Sequence, residues 1–174
     1  QSLPSFPASN RPLPVRIALY QPDIPQNTGT ILRLAACFGV PVDIIEPCGF
    51  ALSDARMRRA GMDYIDHVDW TRHNSWERFL EQRTSGRLVL LTTKADSSLQ
   101  DFRFKADDTL LFGQESAGVP EEVHNRADAR VAIPMQSGLR SLNLAVSASI
   151  AAWEALRQTG FNQDVPPHTG GDQA

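Results

Sequence analysis

Short apolar runs alternate along the chain with stretches in which apolar residues recur every three or four positions. VRIALY (15–20), VDIIE (42–46), YIDHV (64–68), RLVLLTT (87–93), TLLFG (109–113) and ARVAIP (129–134) have the length of strands. Between the first two, NTGTILRLAACFG (27–39) predicts a helix with Asn27 as its N-cap and Gly39 as its C-terminal stop. Shorter helices are expected over 53–61, 74–83 and 120–127. The last helix is expected from about 142 to 158, where Leu142, Val146, Ile150, Trp153 and Leu156 fall at helical spacing and predict one buried face. This alternation predicts a three-layer α/β domain, a mostly parallel sheet flanked by helices.

In open α/β sheets, ligands bind beyond the carboxyl ends of the strands. Three such ends carry unusual polar loops: TTKADSS after 87–93, GQESAGVP (113–120), and PMQSGLRSLN before the last helix. Familiar devices are absent from them. GQESAG has P-loop glycine spacing, but Val119-Pro120 stand where a phosphate- and magnesium-holding Lys-Ser/Thr would be. No strand is followed by GxGxxG, and there is no GxSxG elbow.

Composition narrows the class further. With 174 residues, 41% hydrophobic and 21% charged, the chain suits one domain with a real core. The core domain is expected over 15–160, between a proline-rich N-terminal arm (1–14) and a polar tail (161–174). The net charge of −3 offers no global attraction to nucleic acid, so any RNA site must be a local basic patch. Cys37 and Cys48 lie in apolar context without metal or disulfide spacing and are expected as buried, reduced thiols of a cytoplasmic protein. The histidines 67, 73, 124 and 168 are scattered, so no metal is expected. There is no 18-residue apolar run to span a membrane and no signal-peptide pattern.

Taken singly, the polar candidates have plain explanations. Ser141 or Asn143 can cap the last helix or brace its turn. Glu115 can be a solvated loop carboxylate. Arg33 lies off the apolar stripe of its helix, as exposed charges do, and Arg56, Arg58 and Arg59 can be a solvated face.

Taken together, the segments IPQNTGTILRLAACFG (24–39), GFALSDARMRRAGMDY (49–64), RLVLLTTK (87–94), FGQESAGVP (112–120) and IPMQSGLRSLNLAVSASIAAWEALRQ (133–158) resemble the SPOUT-class RNA ribose 2′-O-methyltransferases in order and spacing. The resemblance is nearest to the small single-domain tRNA (cytidine/uridine-2′-O-)-methyltransferases, which modify the wobble nucleotide. It implies an α/β fold with a deep C-terminal trefoil knot, a topology that general base rates would not suggest. It also implies a homodimer, a tRNA partner, and S-adenosyl-L-methionine as cofactor. By motif position it implies cofactor contacts from Leu91, Gly113, Ile133, Ser141 and Leu142. Arg33 matches the family's catalytic arginine, Asn27 the asparagine that organises that motif, and Glu115, Ser141 and Asn143 the polar residues supporting the site. Arg33, Arg140 and the Arg56, Arg58, Arg59 cluster are the candidates for RNA contact. Where many relatives have GPETRG this chain has GQESAG, so Gln114 and Ala117 replace a proline and an arginine, a difference bearing on substrate choice.

The chemistry so implied places a ribose 2′-OH in line with an activated methyl group and removes its proton. Arginine is effectively always protonated. Arg33 is therefore expected to stabilise the developing alkoxide, or to hold an RNA phosphate that accepts the proton, rather than to act as a base. Two alternatives stand beside this one: 2′-O-methylation of another tRNA or rRNA ribose, and a non-catalytic RNA-binding module of the same fold.

Overall fold

Strand β1 (Arg16–Tyr20) lies inside a seven-stranded sheet of order β3-β2-β1-β6-β4-β7-β5, in which every neighbouring pair is parallel. The computed structural model describes residues 15–53, 55, 64–84 and 86–161. The expected arm (1–14), nearly all of the tail and most of the helix expected over 53–61 lie outside the described residues. The remaining strands are β2 (Val42–Ile45), β3 (Trp70–His73), β4 (Leu88–Leu91), β5 (Ser97–Ser98), β6 (Thr109–Phe112) and β7 (Ala129–Ala132). The helices are α1 (Pro25–Phe38), α2 (Trp76–Gln82), α3 (Glu121–Arg126) and α4 (Leu144–Thr159).

The sheet is covered on both faces, as the apolar runs require. Along β1 the side chains alternate. Ile17 and Leu19 join a core with Ile31, Leu32 and Ala35 of α1 and the alanines of α4. Ala18 and Tyr20 join the opposite core with Trp76 and Phe79 of α2 and Val123 of α3. Several charges at this sheet are paired. Arg16 binds Asp43 through both carboxylate oxygens (3.0 and 3.2 Å), and His73 Nε2 meets Asp43 Oδ1 at 2.9 Å. Arg87 donates twice to the fully buried Asp108 (2.9 and 2.7 Å), which also accepts the backbone N–H of Lys105.

Four expectations need correction. Residues 64–68 are not a strand: 65–67 form one 3-10 turn, and the chain enters the sheet later, as β3, pairing Trp70 with Val42. That edge strand exposes Thr71 and Arg72, so it lacks the apolar signal of a central strand. Asn27 is not an N-cap; α1 starts earlier, at Pro25, a residue suited to the first turn, and Asn27 sits inside the helix. Cys37 is exposed and Cys48 half-buried, so neither is a fully buried core thiol.

The fourth concerns α4, whose buried face is not the bulky stripe. Ala145, Ala148, Ala151, Ala152, Ala155 and Leu156 are buried, whereas Val146, Ile150 and Trp153 are 47%, 38% and 52% exposed. Small side chains allow close packing beside α1 and the sheet. Of the expected stripe only Leu156 is in the core.

Candidate active site

Strand order reverses between β1 and β6. The chain leaves β1 toward β2 on one side, while β6 and β4 lie on the other, which opens a crevice beyond the strand ends. A cavity of about 460 Å³ occupies this end of the sheet. The end of β4 and the loop after it contribute Leu91, Thr92 and Thr93, the loop after β6 contributes residues 113–118, and β7 and its continuation contribute Val131, Ile133 and Met135. Ser141, Leu142 and Asn143 close it at the mouth of α4, with Ile24 and Asn27 at the start of α1. The three loops singled out in the sequence therefore meet in one place. All five residues expected at the cofactor line the cavity, as do Asn27, Glu115 and Asn143.

The β6 loop is shaped by its glycines. Gln114 and Gly118 exchange two backbone hydrogen bonds of 2.9 Å. A Cβ on Gly113 would lie 2.5 Å from the carbonyl carbon of Gly118, so only glycine lets the two backbones approach this closely. Gly118 itself has φ +65°, in the left-handed region.

Within this frame the polar side chains form a chain of contacts. Asn143 Oδ1 accepts the N–H groups of Ala145 (2.9 Å) and Val146 (3.3 Å), capping α4. Its Nδ2 donates to Asn27 Oδ1 at 3.1 Å, and Asn27 Nδ2 donates to Glu115 Oε1 at 3.4 Å. Glu115 Oε2 accepts the backbone N–H of Asp23 at 3.1 Å, and the Ser116 hydroxyl donates to Asp23 Oδ2. Burial first, and then the side chain of Asp23, pushes the Glu115 carboxyl above the ordinary range, against the backbone N–H of Asp23, which lowers it. Hydrogen bonds from Glu115 and then Ser116 hold Asp23 below it.

Other expected residues lie elsewhere. Arg33 is exposed on α1, its guanidinium 4.9 Å from the centre of the Tyr64 ring, and it does not line the cavity. Arg140 is exposed on the turn before α4. Arg56, Arg58 and Arg59 lie outside the described residues. Asp23 and Ser116 were missed by sequence reasoning. A single carboxylate after a strand carries no periodic signal, although its place at the carboxyl end of β1, before Pro25, is where such a residue matters. A second, shallower hollow of about 600 Å³ is lined by Glu46, Pro47, Cys48, Phe50, Arg72 and neighbours. Among the described residues no group of three or more His, Cys, Asp or Glu is placed to hold a metal ion, and no helix is long and apolar enough to cross a membrane.

The cavity suits a mid-sized polar cofactor. Its volume falls in the range of small-molecule sites, about 300–1,000 Å³. Its lining combines apolar Leu91, Phe112, Val131 and Leu142 with residues that carry hydroxyl and amide groups. Glu115 is the one ionisable side chain among the described lining residues, a sign that suits a cation such as a sulfonium.

Fold and site together define an RNA-methylase domain. The SpoU rRNA Methylase family matches residues 14–153, and the chain belongs to that family. It is 59% identical over 146 residues to a tRNA (cytidine(34)-2′-O)-methyltransferase of Beijerinckia indica, covering 83% of this chain and 91% of that one. A solved structure described as giving insight into the 2-OH methylation of C/U34 on tRNA shares 46% identity with a TM-score of 0.78, covering 83% of this chain and 95% of the other. The SpoU methyltransferase AviRb of Streptomyces viridochromogenes, solved with AdoMet, shares 25% identity with a TM-score of 0.76, covering 86% of this chain and 59% of that one.

Proposed function

We propose that this chain transfers a methyl group from S-adenosyl-L-methionine to the ribose 2′-oxygen of the wobble cytidine or uridine, position 34, of tRNA. One observation carries the reading: the loops after β4, β6 and β7 build a single cavity whose lining includes every residue expected at the cofactor. The similarity to the Beijerinckia indica tRNA enzyme supports the choice of nucleotide.

In this reading Leu91, Gly113, Ile133, Ser141 and Leu142 hold the cofactor. When bound, it supplies a methyl group already activated as a sulfonium. The chain has to orient the ribose, exclude water and manage one proton. Asn27 and Asn143 tie the start of α1 to the mouth of α4 and so fix Glu115 against the cavity. Arg33, held over Tyr64, meets the RNA backbone and steadies negative charge on the ribose and phosphate. Arg140 adds a phosphate contact near the mouth of α4, and Arg56, Arg58 and Arg59, outside the described residues, are further candidates for RNA contact.

The active unit in this reading is a homodimer joined through α4. Val146, Ile150 and Trp153 are exposed on successive turns, and Trp153 makes tilted ring contacts with Phe38 (6.4 Å) and Phe161 (5.0 Å) in an aromatic cluster at the same helix. An apolar face of this kind on one chain is ordinarily covered by a partner. The segment 133–143 threads the knot implied by the family resemblance, and the reaction takes place in the cytoplasm, where tRNA is modified.

The test is methyl transfer. The protein is incubated with labelled S-adenosyl-L-methionine and tRNA lacking wobble methylation, and the digested nucleosides are identified by mass spectrometry. Label in 2′-O-methylcytidine or a 2′-O-methyluridine derivative supports the reading. Label in another ribose moves the target to a different RNA position. Absence of both label and cofactor binding would favour a non-catalytic module.

A further inference from the structure

The chain carries 20 acidic residues against 17 lysines and arginines, and most of its described cations are bonded within the protein. Among the described residues, Arg16, Arg72, Arg78, Arg87, Arg126 and Arg157 are each ion-paired with a carboxylate. Arg83 donates to the Gly86 carbonyl, and Arg130 donates to carbonyls at the end of α3. Arg33, Lys94, Arg103, Lys105 and Arg140 are exposed and have no carboxylate partner among the described residues. Their distribution is uneven. Arg103 and Lys105 precede β6 and are bonded to Arg87 and Asp108, at the amino end of the sheet. Lys94 follows Thr93, and Arg140 precedes Ser141, so each is one residue from the cavity lining. Arg33 lies on α1, whose start also lines the cavity.

Lys94 stands on a short crossover held at both ends. β4 ends at Leu91 and β5 starts at Ser97, and both residues pair with Val131 of β7. Residues 92–96 therefore pass from one side of β7 to the other. The Thr92 N–H donates to the Val131 carbonyl at 3.0 Å, and Thr92 Oγ1 accepts the Lys94 N–H at 3.2 Å. The backbone of Lys94 is thus fixed beside the cavity, while its ammonium is ion-paired with no described carboxylate. Asp96, exposed on the same crossover, is not paired with it. A cation presented from a fixed backbone has less ordering to lose when a ligand binds.

Resting on the function proposed above, we infer that Lys94 is a substrate-binding residue that takes a phosphate of the tRNA backbone beside the cavity. In the sheet β6 stands between β1 and β4, so α1 with Arg33 and the crossover with Lys94 lie to either side of the β6 loop. An RNA strand crossing the cavity meets a cation on each side, with the reacting ribose between them. A lysine ammonium is a compact point charge, which suits a single phosphate oxygen and needs no bidentate geometry. Such a contact fixes register and affinity and reads no base, so Lys94 holds the strand and leaves the choice of nucleotide to other groups. The net charge of −3 gives RNA no general attraction to the chain, and binding then rests on local cations of this kind.

Binding of tRNA lacking wobble methylation, read by fluorescence anisotropy over a range of salt concentrations, tests the contact without any methyl transfer. Lys94→Gln should bind more weakly at low salt, with a log–log salt slope shallower than wild type by about 0.7–0.9, the share of one phosphate. The wild-type advantage should therefore shrink by about threefold as salt rises from about 50 to 200 mM. Lys94→Arg keeps the charge and should keep the wild-type slope. Lys105→Gln removes an exposed, unpaired cation from the other end of the sheet and should bind as wild type does. In the transfer assay Lys94→Gln should raise KM for tRNA with kcat nearly unchanged, and its affinity for S-adenosyl-L-methionine by calorimetry should match wild type. Equal salt slopes for wild type and Lys94→Gln, or an equal loss in Lys105→Gln, would overturn the contact. These outcomes are separable from the parent reading: label at the wobble ribose with unchanged tRNA binding in Lys94→Gln sinks the lysine contact alone. Weakened binding in that variant with label at another ribose keeps the contact and sinks the choice of target.

Discussion

Replacing Gly113 with alanine probes the close backbone approach in the loop that lines the cavity. The new Cβ would lie 2.5 Å from the Gly118 carbonyl carbon and 2.8 Å from its Cα and oxygen, all backbone atoms. No side chain can rotate away, so the 113–118 loop must open. Opening it breaks the two Gln114–Gly118 hydrogen bonds, each 2.9 Å long. At about 0.5–1.5 kcal/mol per bond, the bound shape of the loop becomes harder to reach by about 1–3 kcal/mol. That corresponds to roughly a 5- to 150-fold loss of affinity. The strand ladder before it, Leu91 beside Phe112, is untouched, so the fold should persist. Isothermal titration of S-adenosyl-L-methionine reads the affinity, and circular dichroism checks the fold. A folded Gly113→Ala variant that binds the cofactor as tightly as wild type would refute the claim that this close approach shapes the cavity.

Other perturbations reach different parts of the account. Asn143→Ala removes the α4 cap and the tether to Asn27; it should lose about 1 kcal/mol of stability, with the melting temperature falling by about 2–4 °C in a thermal scan, and transfer should drop further than stability explains. Asp108→Ala leaves Arg87 without its buried partner and should destabilise by about 3–5 kcal/mol in urea unfolding. Trp153→Glu places a charge on the exposed apolar face of α4; sedimentation velocity should show a wild-type dimer and a folded monomeric variant, and a wild type that sediments as a monomer would contradict the α4 interface.

The central strands were legible because a parallel strand covered on both faces is nearly all apolar, as IALY, LVLL and TLLF are. The edges were not. β3 carries exposed Thr71 and Arg72, and β5 is only two residues long, too short for any period to register. The last helix was located correctly but turned the wrong way, because periodicity weights Val146, Ile150 and Trp153 above alanine, while close packing on α1 selects alanine. The cavity followed from the loops, since polar residues and glycines after strand ends mark it directly. The partnership of Asp23 with Glu115 joins positions 92 residues apart, and only the adjacency of β1 and β6 creates it. Asn27 showed a polar helix start but not its use, which depends on Asn143 arriving 116 residues later.

The most direct measurement uses two anticodon stem-loop RNAs identical except at position 34, one with a ribose there and one with a 2′-deoxyribose. Each is incubated with the protein and labelled S-adenosyl-L-methionine. The account predicts label on the first and none on the second. Equal labelling of both would contradict it, because the methyl group would then be going somewhere other than the 2′-oxygen of the wobble nucleotide.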